Sequence, residues 1–288
     1  MPNSISGWIG RNKLGFEYYL VDDGWKRWKA DGKDDWACLR EVCDYAKTNG
    51  VKIWAWVDCK DVPTAAKRTN FLDRAVAAGV AGVKIDFEPE ANVRWVNWYD
   101  ETLRDAAARK LMINFHGANK PIGRERTWPN EMTRESIRGH EYHILRYNRT
   151  LPPQHDCILP FTRFVIGPGD YTPTVFNPKE LRGYTWAHEL AQAVVFTSPY
   201  LCYADHPAKL SEQPRRRRVE GDSLDVGRNG GSAGQRNRQM RRLRPPQRKA
   251  MVHWRPQWRR SHDAGLGAEF SRPRQISNDS TGRRAGSR

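Results

Sequence analysis

The run Gly82-Val83-Lys84-Ile85-Asp86-Phe87 most constrains what this chain can fold into. It is short and mostly apolar, yet it carries a lysine and, near its C-terminal end, an aspartate. Three similar runs surround it: FEYYLVD at 16–22, VKIWAWV at 51–57 and LMINFH at 111–116, each ending in or next to a polar or aromatic residue. Between them, residues 36–49, 62–78 and 93–110 place apolar side chains at helical spacing. Asn49-Gly50 and Gly79 supply stops, and Pro63 lies in a first turn. Short apolar runs separated by helices predict buried parallel strands in βα units. The fold expected is therefore α/β, a TIM-type (β/α)8 barrel, in which the C-terminal ends of the strands form the active site. On that reading Asp22, Trp56, Asp86 and His116 face one cleft, with Asp86 at its centre.

The alternation then gives way. Residues 117–134 read as a long polar loop with Pro121, Gly123 and Pro129, of the kind that shapes a site. Residues 157–161 and 194–197 read as further strands with a helix over 178–193 between them. That makes about six strands before residue 205, so the barrel is expected to be incomplete. Residues 1–13 read as irregular, 14–210 as the partial barrel and 211–288 as a low-complexity tail.

The formal charge of +16 suggests an anionic partner at first sight. From Pro214 onward, however, twenty lysines and arginines stand against six acids, so the body before it is nearly neutral. Little aromatic content beyond Trp254 and Trp258 interleaves those arginines, which argues against a dedicated nucleic-acid binder. The tail reads either as a disordered basic extension or as out-of-frame translation. The stretch DSLDVGRN from Asp222 can be encoded so that a one-nucleotide shift gives IPWTWDET, a peptide of ordinary folded character. Five cysteines without a C-x-x-C pair argue against a zinc knuckle or a disulfide framework, and Cys38 and Cys43 read as small apolar helix positions. No signal-peptide pattern opens the chain, and no apolar run has the length of a membrane helix. Compartment and oligomeric state are not encoded legibly.

Two carboxylates flanking a sugar are the minimal apparatus of glycoside hydrolysis. Asp86 is placed for one, and Glu125, Glu131, Glu135 and Glu141 all lie in or just after the long loop as candidates for the other. Spacing alone does not choose among them.

Longer blocks do. YYLVDDGW (18–25), GVKIDF (82–87), NFHGANKPIGRERTWPNEMTRESIRGHEY (114–142), LPFTRFVIGPGDYTP (159–173) and AHELAQAVVFTSPY (187–200) resemble, in order, glycoside hydrolase family 97. The resemblance runs from about 14 to 210, and the shifted tail peptide also resembles that family's continuation. It implies an exo-acting α-glycosidase whose catalytic barrel lies between two β-domains. It further implies that the family's first barrel strand is missing here, because 16–22 resembles the second. One branch of the family inverts configuration with a glutamate directly after the histidine of the NFH segment. The other retains configuration with an aspartate at the end of the KIDF strand. Here Gly117 follows His116 and Asp86 is present, so the chain resembles the retaining α-galactosidases. The resemblance makes Asp86 the nucleophile and Glu141 the acid/base. It also makes Glu135 one ligand of a calcium (Ca2+) site that this chain carries incompletely. Lys84 and His116 are expected to contact sugar hydroxyls or orient carboxylates. Asp22, Asp23, Trp25 and Trp56, with Trp54, are expected to form a sugar platform, and Asp170 to lie at the barrel mouth. The substrate implied is an α-linked galactoside or glucoside. The other readings are an α-glucosidase, an inactive truncated remnant, or a basic nucleic-acid-binding protein, whose binding would weaken steeply with salt. Relatives are often periplasmic or secreted.

The frameshift reading is checked by sequencing the coding DNA across codons 210–230. An overlapping frame encoding IPWTWDET is expected, and the lack of any plausible alternative frame rejects it.

Overall fold

A computed structural model describes residues 15–88, 91–143, 150–206, 209–210 and 249–254. The irregular segment expected at 1–13 and most of the tail lie outside these residues. Four strands form where the apolar runs predict them: β1 (Tyr18–Val21), β2 (Lys52–Asp58), β3 (Gly82–Asp86) and β4 (Met112–Phe115). Three helices alternate with them: α1 (Asp35–Thr48), α2 (Ala65–Ala78) and α3 (Val93–Ala107). Each helix starts on a side-chain cap that occupies one of the free N–H groups of its first turn. Asp34, Thr64 and Asn92 accept from Ala37, Lys67 and Trp95. Gly79 ends α2 in the left-handed conformation that favours glycine. Cys38 and Cys43 are buried on α1, and all five cysteines are free.

Three further strands complete a seven-stranded sheet in the order β5-β4-β3-β2-β1-β7-β6, with every pair parallel: β5 (Glu131–Arg134), β6 (Tyr200–Tyr203) and β7 (Lys249–Trp254). The two ends of this order meet through an extended segment. Gly169 bridges Arg134 in parallel, Asp170 N–H donates to Arg134 (3.1 Å) and Gly169 N–H to Thr197 (3.4 Å), while Ala204 N–H donates to Pro173 (3.0 Å). The sheet thus curls round as a β/α barrel.

Several sequence-based expectations are corrected here. Residues 157–161 are helical: α4 (Pro153–Ile158) runs into a 3-10 turn at Leu159–Phe161, and a proline in each first turn favours that geometry. Residues 194–197 end a helix, and the strand begins only beyond Pro199. The helix expected over 178–193 is two, α5 (Pro178–Leu181) and α6 (Trp186–Val195), because Arg182 and Gly183 turn left-handed and Thr185 caps a new start. The loop at 117–134 ends in β5, whose EMTR sequence hides its strand character because Glu131 and Arg134 are buried as an ion pair. The expected gap beside β1 is filled by β7 from the tail, which pairs with both β1 and β6. An unpaired strand edge leaves a row of backbone donors and acceptors to be met. No arginine interrupts KAMVHW, although arginines flank it.

Strand alternation divides the side chains. Tyr19, Val21, Ile53, Ala55, Val57, Val83, Ile85, Ile113 and Phe115 belong to the large core shared with the helices. Tyr18, Leu20, Trp54, Tyr200 and Cys202 form a second cluster on the other face, inside the barrel. On that inner face Trp54 pairs in register with Gly82, and a Cβ at Gly82 would lie 2.4 Å from the Trp54 ring. Further along the same face the residues become polar: Asp22, Lys84, Asp86, Asn114 and His116, all buried. No described helix is long and apolar enough to cross a membrane.

Gly82→Ala is therefore expected to destabilise the fold by about 1–3 kcal/mol through overpacking. Urea denaturation reads it, and an unchanged midpoint would show that Trp54 yields freely.

Candidate active site

The polar end of the inner face is built on three strand termini. Asp22 follows β1, Asp86 ends β3 and His116 follows β4. Lys84, one strand repeat below Asp86, reaches Asp22 Oδ2 at 3.1 Å and Asp86 Oδ2 at 4.0 Å, with all three side chains almost fully buried. Asp86 Oδ2 also accepts from the Trp56 indole (3.0 Å), and Oδ1 accepts from the Phe87 N–H (2.8 Å). Phe87 has φ 67, a strained value for a bulky side chain that costs about 1–3 kcal/mol. Its N–H donates to the His116 carbonyl as well (3.0 Å), so the strained residue ties β3 to β4 beside the carboxylate.

His116 links the rest. Its Nδ1 lies 2.9 Å from Asp170 Oδ2, which also accepts from Asn114 Nδ2 at 2.7 Å. Its Nε2 lies 3.3 Å from Glu135 Oε1 and 3.2 Å from Glu141 Oε1. Burial alone would disfavour a charged ring, but the surrounding carboxylates, Glu135 foremost, outweigh it and hold the His116 pKa well above the ordinary value. Burial likewise works against an ionised Asp170, yet the His116 hydrogen bond and charge bring that carboxyl below its usual value. Glu135 is raised, first by burial and further by Glu141. One cationic ring between two neighbouring carboxylates is an arrangement in which a proton can be held and delivered.

Gly117 fits tightly against this group. At φ 65 its N–H donates to Glu135 Oε2 (2.7 Å), and a Cβ there would lie 3.0 Å from Asp86 Oδ1 and 2.9 Å from the Phe87 nitrogen. With the backbone so placed, a side chain at 117 and the carboxylate of Asp86 compete for one space.

Among the carboxylates of the long loop and its flank, Glu135 and Glu141 come to His116. Glu131 pairs with Arg134, and Glu125 sits in a 3-10 turn, Arg124–Arg126. Arg134 lies over Tyr99 and Arg138 over Tyr142. The sugar-platform expectation is corrected for three residues. Trp25 is a core residue, 1% exposed, with its indole on the Trp56 carbonyl and its ring edge-on to Trp36. Trp54 packs inside the barrel against Tyr200. Asp23 points outward to Arg27 (3.7 Å), although its backbone N–H donates to Asp22 Oδ1 (2.7 Å) and fixes that carboxylate. Trp56 does reach the site, as a donor to Asp86. The aromatic at the mouth is Phe87, 48% exposed and edge-on to Trp56. Sequence offers no sign of it, since its exposure follows from the positive φ. Glu88 was also unforeseen: it is buried without a side-chain hydrogen bond among the described residues, and burial raises its pKa well above the usual value.

A calcium ion takes six to eight oxygens. The described residues bring Glu135 and Glu141 together, both already engaged with His116, and contain no group of three acidic, histidine or cysteine side chains able to hold a metal. They do not fit a calcium site by themselves.

The sequence of the barrel decides its kinship. Residues 11–137 match the family model described as Glycoside hydrolase 97. The matched segment belongs to that family. A probable retaining alpha-galactosidase of Streptomyces bingchenggensis is 36% identical over 211 residues, which cover 70% of this chain and 32% of that protein. A retaining alpha-galactosidase of Bacteroides thetaiotaomicron is 28% identical over 214 residues, covering 69% and 32%. The chain thus spans about a third of the length of these curated relatives. A solved family 97 enzyme from Pseudoalteromonas sp. strain K8, in complex with acarbose, superposes with a TM-score of 0.65 at 26% identity, over 76% of this chain and 39% of that one. A beta-arabinopyranosidase at 22% identity and TM-score 0.62, over 73% and 36%, shares the fold.

Lys84 is the cation of a buried cluster, so Lys84→Met leaves Asp22 and Asp86 without it. Breaking a buried pair in this way costs about 3–5 kcal/mol. Chemical denaturation measures it, and a loss well under that range would show that other donors satisfy the carboxylates.

Proposed function

We propose that this chain carries the catalytic centre of a retaining, exo-acting α-glycoside hydrolase, with α-galactosides as the preferred substrates. The observation that carries the reading is the placement of Asp86. It is a buried carboxylate at a barrel strand end, oriented by two N–H donors and facing Gly117, with Glu141 across His116. The names of the two curated relatives support the same stereochemistry and sugar.

The steps follow from the chemistry of the groups. An Asp86 oxygen attacks the anomeric carbon as the bond to the leaving oxygen breaks, and Glu141 gives that oxygen its proton. The glycosyl ester on Asp86 is then cleaved by water, whose proton returns to Glu141. Trp56 and the Phe87 N–H stabilise Asp86 as a carboxylate, which makes it a better leaving group in the second step. The protonated His116 holds Glu141 in place and shares its charge with Glu135. Gly117 supports retention over inversion. A glutamate at 117 would intrude on the space of Asp86, so this backbone accommodates the nucleophile and not a base at that position.

The test is hydrolysis of p-nitrophenyl α-galactoside and α-glucoside by the full chain, with proton NMR of the first sugar released. The α-anomer of galactose is expected, with activity abolished in Asp86→Ala and partly restored by azide, which gives the β-glycosyl azide. Release of the β-anomer overturns retention, and faster glucoside hydrolysis overturns the sugar assignment. A folded, soluble chain inactive on both substrates overturns the catalytic reading.

A further inference from the structure

Glu141 is carried by the 3-10 turn His140–His143, and the opposite side of that turn rests on a buried polar cluster that the reaction does not use. His140 and His143 are both fully buried, with rings 4.6 Å apart. The turn is pinned through its backbone: His140 N–H donates to the Tyr171 carbonyl (2.9 Å), and a Cβ at Gly139 would come within 2.6 Å of that same oxygen. His143 Nε2 accepts from Leu151 N–H (3.1 Å), whereas both ring nitrogens of His140 are without a hydrogen bond among the described residues. Facing them is Glu189 on α6, also fully buried. Its Oε2 accepts from Val175 N–H (2.9 Å), whereas its Oε1 makes no hydrogen bond among the described residues and lies 3.7 Å from His140 Nδ1. Two unsatisfied buried polar atoms that face each other across a gap slightly longer than a hydrogen bond are costly unless a proton lies between them.

We propose that Glu189 is an uncharged carboxylic acid whose O–H is donated to His140 Nδ1, and that this bond is a positioning contact holding the turn that presents Glu141. The assignment of Glu141 rests on the function proposed above, but the Glu189–His140 bond does not. The neighbouring charges agree with it. Asp156 on α4 and Asp205 beyond β6 both face Glu189 and disfavour a further negative charge. Asp156 is itself engaged by the Tyr171 hydroxyl (2.5 Å), His188 Nε2 (2.8 Å) and Gln192 Nε2 (2.9 Å). Tyr171 and Tyr184 stay protonated, chiefly through burial. Burial, against the opposing Val175 hydrogen bond, takes Glu189 up to about 8, and burial with His143 and His188 takes His140 down to about 3, so both partners are neutral at neutral pH.

The sign of the pH dependence follows. The unfolded glutamate loses its proton near the ordinary value of 4.5, the folded one near 8. Glu189 therefore contributes full stability below the first value and loses it as pH rises to the second. Denaturant midpoints of the full chain, wild type and Glu189→Gln, are compared from pH 5 to 9. The advantage of the glutamine variant, whose amide still donates, is expected to grow up to about pH 8 and then level off. Parallel profiles overturn the proposal. Nitrogen-15 NMR of the imidazoles supplies a second readout: an accepting Nδ1 on His140 in wild type and Glu189→Gln, lost in Glu189→Ala. A signal unchanged in the alanine variant overturns it as well. In the hydrolysis assay, Glu189→Ala is expected to lower kcat by on the order of 100-fold through misplacement of Glu141, with KM little changed and kcat rescued by glutamine. An equal loss in both variants overturns the positioning role. If the wild type does not hydrolyse glycosides, the catalytic reading fails, while the stability and NMR measurements still decide the Glu189–His140 bond.

Discussion

The buried lysine Lys84 is the constraint on which the rest of the site depends. A cation inside a barrel is tolerated only when anions surround it, and here Asp22 does so from the end of β1, two strands away across β2, and Asp86 from its own strand. Their spacing along the strands follows from the pleat. With Trp54 paired to Gly82 and Trp56 to Lys84, the register puts the Trp56 indole against Asp86. A slip of one residue would turn every one of these groups into the helix-facing core. The apolar layer beneath, with Trp54 lying over Gly82, is what fixes that register.

A second charge system, centred on His116, adjoins the first. Asp170 and Asn114 hold one edge of the ring, and Glu135 and Glu141 meet the other. The two systems touch at Gly117 and Phe87, where backbone rather than side chains makes the contact. The strained Phe87 and the left-handed Gly117 allow β3 and β4 to end side by side with Asp86 between them. Local strain at such a point is maintained by the well-packed strands on either side. The 3-10 turn of Glu141 and the segment of Asp170 come from regions without regular strands. They are placed by buried polar contacts instead, with Arg163 donating to the carbonyls of Arg134, Glu135 and Pro168.

Much of this was legible in the residues. Asp22, Asp86 and His116 each end a mostly apolar run, and Lys84 lies two residues before Asp86, so period-two reasoning alone puts these groups on one face. The helices were legible for the same reason, through their apolar stripes, caps and stops. Legibility failed where polar residues are buried or apolar ones are helical. Glu131 and Arg134 make β5 look like a loop, and residues 157–161 look like a strand until the prolines at their helix starts are weighed. Tryptophans misled in the opposite direction. Trp25 and Trp54 have the chemistry of a sugar platform but serve as core, because an indole buries more apolar surface than any other side chain.

By itself the sequence determined the βα alternation, the inner and outer faces of β1 to β4, and the kinship of the barrel segment, because each depends on local period or on residue identity in order. Only the tertiary structure decided which loop carboxylates reach His116, that Phe87 and not Trp25 stands at the mouth, and that residues 249–254 complete the sheet beside β1. Those outcomes depend on contacts between segments far apart in the chain, and no local period encodes such contacts.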